Sequence, residues 1–172
     1  HRFYTNDILS HNTTMSSFFI LWYTCFNIDR NCIVLGNIQK TAFEILTKLE
    51  ISYRELPFLF KPGIIINNRG EMTFDNGVRL IGKATTAKPA LGMTVHLLYL
   101  DEFAHVPENI VESFWTTTYP TISSSKVSKI VITSTFNGTN KFWKLYTAAE
   151  KGKNSFNPIR VDWWEVEGRD EA

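Results

Sequence analysis

The chain has 172 residues and a formal net charge of +1, with 18 Lys and Arg against 17 Asp and Glu. This balance excludes a polybasic tail and an acidic disordered segment. Apolar residues make up 44% of the chain, which is enough to bury the core of one domain and excludes disordered and fibrous proteins. The longest apolar run is too short for a membrane-spanning helix.

The N-terminal residues lack the basic region and apolar stretch of a signal peptide. The chain also begins with His1 in place of Met, so we expect a fragment of a longer protein. The spacing of Cys25 and Cys32 fits neither a metal-binding or redox CxxC pair nor a disulfide framework. Both cysteines are therefore predicted to be reduced packing residues.

The first third of the chain predicts two helices around one short strand. Residues Thr13 to Asn27 carry apolar side chains nearly all round, which is typical of a buried helix. Ile33 to Gly36 has the length and composition of a strand. Apolar residues recur at helical intervals from Thr41 to Tyr53, and Pro57 ends this pattern.

Three β-rich runs follow, at Ile64 to Ile66, Met72 to Phe74 and Val78 to Ile81. Turn sequences rich in Asn and Gly separate them, and such turns join adjacent antiparallel strands. The three runs are therefore predicted to form a small antiparallel insert.

The second half alternates strands with helices. Val95 to Leu100 and Val127 to Thr133 are apolar runs typical of strands in a parallel sheet covered on both faces. Asn109 to Trp115 and Asn140 to Ala149 are predicted helices. This alternation predicts a three-layer α/β fold with a mostly parallel sheet.

Two polar segments end two of these strands. Asp101 and Glu102, the acidic pair, follow Leu97 to Leu100, and Thr133, Ser134 and Thr135, the hydroxyl triplet, follow the next strand. Ligands of open α/β sheets bind at the carboxyl ends of strands. There, the first carboxylate can hold Mg²⁺, the second can polarise an attacking water, and the hydroxyls can sense a γ-phosphate. The alternatives are an exposed acidic turn and an ordinary Asn-Gly turn.

The phosphate-binding sequence GxxxxGK[ST] is absent from these residues. Thr13 and Thr14 nevertheless open the first predicted helix, and their separation from Asp101 suits the spacing of a phosphate loop and a metal carboxylate. The helix therefore begins with the hydroxyl residues of a phosphate loop, but the glycines and the lysine of that loop do not precede it.

The segment before Thr13, HRFYTNDILSHN, closely resembles the C-terminal splicing motif of inteins. By this resemblance Asn12 attacks its own carbonyl to form a succinimide, His11 assists, and Thr13 is the nucleophile that follows the intein. An ordinary loop is the alternative for a lone His-Asn-Thr, but the likeness extends over the whole segment.

From Thr13 to about Arg169 the chain resembles the ATPase half of the large terminase subunit of tailed bacteriophages. The likeness rests on the order of several segments, among them ELPFLFKPGI, NNRGEMTFDNG, HLLYLDEFAHVPENI and KIVITSTFNGTNKFWKLYTAAEKGKN. It implies a P-loop NTPase fold of the ASCE or RecA-like type, incomplete at the N-terminus, with a small β-hairpin insert. Asp101 is then the Walker B ligand of Mg²⁺, Glu102 the catalytic glutamate, and Thr133 to Thr135 the coupling motif.

The two resemblances together imply residues 1–12 as the end of an intein and residues 13–172 as a terminase ATPase domain without its phosphate loop and nuclease domain. ATP and Mg²⁺ are the implied cofactors, bound in part by Thr13 and Thr14. The implied partners are double-stranded viral DNA, the portal protein, the small terminase subunit, further copies in a ring on the procapsid, and the upstream intein and N-extein. The expected location is the portal of the procapsid in the host cytoplasm, and the fragment alone is expected to be inactive as an ATPase.

Two other functions remain open from the sequence. Asp101 to His105 could be the DExH box of a superfamily 2 helicase-like translocase. Alternatively, the chain could be a non-catalytic module that binds DNA or a partner protein and has lost its phosphate loop.

Overall fold

A computed structural model describes residues 2–5, 8–86, 93–123 and 127–162. Its main body is a six-stranded sheet with helices on both faces. The elements follow in the order β1 (Arg2–Thr5), β2 (Ile8–His11), α1 (Asn12–Cys25), β3 (Asn31–Gly36), α2 (Gln39–Glu55), β4 (Ile64–Asn68), β5 (Glu71–Phe74), β6 (Arg79–Ala84), β7 (Leu97–Asp101), α3 (Glu108–Thr117), α4 (Tyr119–Ser123), β8 (Lys129–Thr133) and α5 (Lys141–Glu150).

The main sheet has the strand order β4-β5-β6-β3-β7-β8. Strands β6, β3, β7 and β8 are parallel to one another, and β4 and β5 form an antiparallel hairpin at one edge. Strands β1 and β2 pair with each other in a separate two-stranded sheet. The mostly parallel α/β sheet predicted from the sequence is confirmed.

The predicted antiparallel pairing of the three runs is correct, since β5 pairs antiparallel with both β4 and β6, but the three runs are not a separate insert. Strand β6 pairs in parallel with β3 and is an internal strand of the main sheet, and the hairpin continues that sheet through β5. Leu80 and Ile81 are both buried although they point to opposite faces, because helices cover the sheet on both sides. At Gly82, an added Cβ would lie 2.8 Å from Cδ1 of Leu46, so glycine allows α2 to pack directly on this strand.

Strand β7 supplies side chains to two separate cores. Leu97 and Tyr99 pack into the core under α1 and α2, whereas Leu98 and Leu100 pack into the core beside α3 and α5. All five residues of β7 are buried. The unbroken apolar run of this strand is therefore explained by its position between two helical layers, as the sequence predicted.

Helix α1 is buried on one side, which corrects the prediction of a helix buried all round. Ile20, Leu21 and Thr24 are buried against the sheet and α2. An apolar outer face remains exposed in the described structure; it comprises Met15, Phe18, Phe19, Trp22 and Phe26. Apolar composition alone overestimated the burial because one sheet face and one neighbouring helix can cover only one side of a helix.

The other predicted elements are confirmed with small shifts of their ends. Helix α2 extends two residues beyond the prediction at each end, and α5 begins after Asn140, whose side chain accepts a hydrogen bond from the backbone N–H of Trp143. Both cysteines are free thiols, and burial raises the pKa of Cys32 to about 12. No described helix is long and apolar enough to cross a membrane.

Two Phe→Ala substitutions test this assignment of the core. Phe114 is fully buried beside Phe103, and Phe18 is 51% exposed on α1. We expect Phe114→Ala to lower the free energy of unfolding by about 3–5 kcal/mol because it leaves a cavity. The matched substitution Phe18→Ala is expected to change it by no more than about 0.5 kcal/mol. Urea denaturation of the chain measures both, and equal losses would contradict the one-sided burial of α1.

Candidate functional site

The candidate site is built on the carboxyl ends of β7 and β8. Their parallel pairing aligns Asp101 with Thr133, so the two strands end side by side. The acidic pair and the hydroxyl triplet are thereby brought together, as the rule for parallel strand ends predicted. The side chains that follow these two strands determine the chemistry of this edge.

The carboxylate of Asp101 is only 6% exposed and is held by two hydroxyl groups. Its Oδ1 accepts hydrogen bonds from the Tyr99 hydroxyl and from the Thr133 hydroxyl, each at 2.9 Å, and these two hydroxyl oxygens are 2.8 Å apart. Burial and the neighbouring charge of Asp101 raise the pKa of Tyr99 well above its ordinary value. Tyr99 therefore keeps its proton and remains a donor.

Glu102 leaves the strand in an unusual backbone conformation. Its φ of 52° lies in the left-handed region, and a short 3-10 turn, Phe103–His105, follows directly. Left-handed conformations of residues other than Gly are uncommon and concentrate at functional sites. The Glu102 side chain is 37% exposed, but its Oε2 is buried without a hydrogen-bond partner among the described residues, 3.6 Å from Nε2 of His105.

Each hydroxyl of the triplet contacts the segment from Asp101 to His105, in sequence order. Thr133 donates to Asp101, and Ser134 Oγ accepts the backbone N–H of Ala104 at 3.0 Å. Thr135 Oγ1 lies 3.0 Å from Nε2 of His105. The two loops are therefore linked at three successive positions and form one polar unit.

Asn140 connects helix α5 to the same unit. Its side-chain N–H donates to the carbonyl of Ala104 at 2.8 Å, while its Oδ1 caps α5. Neither Asn140 nor His105 was assigned a role in the ATPase site from the sequence. An Asn just before a helix is a recognisable N-cap signal, but its second bond to Ala104 depends on the tertiary structure.

The first turn of α1 lies at the same edge of the sheet. Ser16, in this helix, lies close enough to the Tyr99 hydroxyl to lower the pKa of that hydroxyl, and Thr14 is half-buried. The backbone places Asn12 at the start of α1, directly after His11 at the end of β2, and Thr13 in the first turn. The structure therefore brings the helix start close to the strand tips. The side chains of His11, Asn12 and Thr13 lie outside the part of the chain that the structure describes.

Solved structures with the same architecture include the Thermus phage P74-26 large terminase ATPase domain, with a TM-score of 0.60 and 18% identity over 78% of this chain and 59% of that one. The HK97 bacteriophage large terminase has a TM-score of 0.66 and 14% identity over 83% of this chain and 31% of that protein. The large terminase of a thermophilic bacteriophage in complex with ATP-gamma-S has a TM-score of 0.62 and 15% identity, over 91% of this chain and 38% of that protein. This is a P-loop NTPase fold.

The chain thus spans 59% of the first of these structures and 31 to 38% of the other two. A model of the family described as "Terminase large subunit, T4likevirus-type, N-terminal" matches residues 12–167. Because this match spans most of the sequence, the chain belongs to the family of T4likevirus-type terminase large subunit N-terminal regions.

Proposed function

We propose that residues 13–172 form the ATP-hydrolysing part of a phage DNA-packaging motor. The observation that carries this proposal is the hydrogen bonding between the hydroxyl triplet at the end of β8 and the segment that begins with Asp101 at the end of β7. The family match and the structural neighbours, one of which is a complex with ATP-gamma-S, support nucleotide as the ligand. Asp101, Glu102 and the triplet then have distinct roles.

The donor set at the strand tips fits Mg²⁺. This ion prefers oxygen ligands and is usually bound by one or two carboxylates together with substrate phosphates. The site offers the carboxylate of Asp101 and nearby hydroxyls, with Thr13 and Thr14 in the first turn of α1. When bound, Mg²⁺ neutralises negative charge on the phosphates. In this proposal Asp101 and Thr13 hold the ion, and Thr14 contacts the nucleotide.

Glu102 is the proposed general base. A base must have a free acceptor atom within reach of the water whose proton it takes. Glu102 Oε2 has no hydrogen-bond partner in the described structure, and its backbone conformation carries it off the end of β7. The side chain is therefore not tied to the sheet, unlike the carboxylate of Asp101.

The hydroxyl triplet is the proposed coupling element. Thr133, Ser134 and Thr135 are each bonded to the segment from Asp101 to His105, and Asn140 links that segment to α5. A change at the nucleotide can therefore pass from the tip of β7 to the loop after β8 and to a helix. We propose that this path joins hydrolysis to the movement of double-stranded DNA.

Substitution of the acidic pair tests the ATPase proposal. In the protein with its upstream segment restored, we expect Glu102→Gln to lower kcat by at least about 100-fold, because it removes the general base, while ATP binding is retained. Asp101→Asn is expected to abolish the Mg²⁺ dependence of ATP binding. Steady-state ATPase assays and nucleotide titrations measure these effects.

Glu108→Gln is the matched control, because Glu108 is exposed at the start of α3 and is expected to leave kcat unchanged within about twofold. Absence of ATP binding by the restored protein would favour a non-catalytic binding module. Strand-separating activity would instead favour the helicase-like alternative.

We further propose that residues 1–12 are the end of an intein and that splicing joins an upstream phosphate loop to Thr13. Two observations support this division. The family match begins at residue 12, and β1 and β2 form a sheet of their own, apart from the ATPase sheet. In this proposal Asn12 forms the succinimide, His11 assists, and Thr13 is both the splicing nucleophile and, afterwards, a ligand of Mg²⁺.

The outer edge of β8 supports the same proposal. Ile130, Val131 and Ile132 are only half-buried, whereas every residue of β7 is buried. Among the described strands, β8 pairs with β7 alone, and an apolar edge strand is suited to receive another strand. We propose that the upstream segment adds a strand beside β8 and continues through the phosphate loop into α1.

Expression of the gene with its upstream region tests the splicing proposal. We expect Asn12→Ala to block release of the intein and Thr13→Ala to prevent joining, since each removes a reacting group. Thr14→Ala is the control and is expected to splice, because the hydroxyl of Thr13 is retained. Intact-mass spectrometry identifies the joined product, and full splicing of Thr13→Ala would contradict the role of this residue.

The proposed partners follow from the motor function. They are double-stranded viral DNA, the portal protein, the small terminase subunit and further copies of the same protein in a ring on the procapsid. The proposed place of action is the portal in the cytoplasm of the host cell. Without the upstream segment, the fragment is proposed to be inactive because its β- and γ-phosphate contacts are incomplete.

A further inference from the structure

The hydroxyl of Tyr99 lies where three elements of the site meet. It forms hydrogen bonds with Asp101 of β7 and Thr133 of β8, and Ser16 of α1 lies close by. The ring is 1% exposed and fixed in the core. The Tyr99 hydroxyl is therefore shared by Asp101 and Thr133 and lies beside the start of α1.

The three oxygens of Tyr99, Thr133 and Asp101 form a closed triangle with sides of 2.8, 2.9 and 2.9 Å. Each hydroxyl has one proton, so two protons serve three contacts. Both protons are used when one hydroxyl donates to the Asp101 carboxylate and the second hydroxyl donates to the oxygen of that hydroxyl. Asp101 therefore needs only one of the two hydroxyls as its donor at any time.

The two hydroxyls differ in their freedom to move. Tyr99 is buried, and its hydroxyl oxygen can move only with the whole ring. Thr133 is half-buried at the end of an edge strand, and rotation about one side-chain bond redirects its hydroxyl. Only Thr133 can readily leave the triangle for another acceptor.

We propose that Tyr99 is a positioning residue that holds the Asp101 carboxylate when the Thr133 hydroxyl turns to the nucleotide. This inference rests on the proposed function. The buried hydroxyl of Tyr99 keeps the metal-binding carboxylate oriented, and the coupling hydroxyl can then exchange partners without leaving Asp101 unsatisfied. Loss of the donors that orient a metal-binding carboxylate weakens metal binding, typically by about 10–100-fold.

A double-mutant cycle with Tyr99→Phe and Thr133→Val tests the proposal in the full spliced protein. The readout is the affinity for Mn²⁺ in the presence of ATP-gamma-S, measured by electron paramagnetic resonance. We expect each single substitution to weaken Mn²⁺ binding by about twofold, because one donor remains, and the double substitution to weaken it by about 30-fold. If the double variant loses more Mn²⁺ affinity than the product of the two single losses, each hydroxyl can replace the other as the donor to Asp101.

Tyr53→Phe is the matched control. Tyr53 is 9% exposed, and its hydroxyl donates to the carbonyl of Pro62, outside the polar unit around Asp101. This variant also loses a hydrogen-bonded hydroxyl from a buried ring, and it is expected to retain wild-type Mn²⁺ affinity. Thermal unfolding of both Tyr→Phe variants separates a general loss of stability from a change at the site.

Kinetics provide a second readout. In Tyr99→Phe, Thr133 becomes the lone hydroxyl donor to Asp101 and is withheld from the nucleotide, so kcat is expected to fall by about tenfold with KM for ATP changed by less than about twofold. Additive effects on Mn²⁺ affinity, or equal behaviour of Tyr99→Phe and Tyr53→Phe, would overturn the positioning role. If the wild-type protein binds no Mn²⁺ with ATP-gamma-S, the proposed function itself fails, and the role of Tyr99 with it.

Discussion

The in-register pairing of β7 with β8 is the constraint on which the site depends. It places Asp101 beside Thr133, so that a nearly buried carboxylate meets a hydroxyl at the point where both strands end. A buried charge without partners would destabilise the fold, and the hydroxyls of Tyr99 and Thr133, both within hydrogen-bond distance of one carboxylate oxygen, offset that cost here. A slip of one residue in this pairing would turn every side chain of β8 to the other face and separate the acidic pair from the hydroxyl triplet.

The two strands of the site differ in packing, and this difference allows one strand to move relative to the other. Strand β7 is buried on both faces between two cores, whereas β8 is half-buried at the sheet edge. Elements with fewer buried contacts open at lower free-energy cost than core strands. The proposed metal-binding carboxylate is therefore on the rigid strand, and the proposed coupling hydroxyls are on the strand that can shift. Hydrogen bonds from the triplet to the segment after β7 transmit such a shift.

Sequence patterns predicted where the helices and strands lie along the chain better than they predicted which elements contact one another. The strands β3, β7 and β8 and the helices α2, α3 and α5 were predictable because each has a clear periodicity and flanking turns. The place of β6 in the parallel sheet and the exposed face of α1 were not, since both depend on which surfaces meet. The acidic pair and the triplet followed from the rule that ligands bind at strand ends. The contacts of Tyr99, His105 and Asn140 depend on register and side-chain rotamers, which one sequence does not encode in any short pattern.

The two chemistries proposed for the start of α1, protein splicing and Mg²⁺ binding, require the same functional group there. A nucleophile after an intein and a ligand of Mg²⁺ both need a hydroxyl, and Thr13 stands in the first turn of the helix. Ser16, three residues later, lies close to the Tyr99 hydroxyl, which donates to Asp101. The start of α1 therefore lies close to the strand tips. In a spliced protein, an added strand beside β8 and helix α1 would hold the phosphate loop from both of its ends.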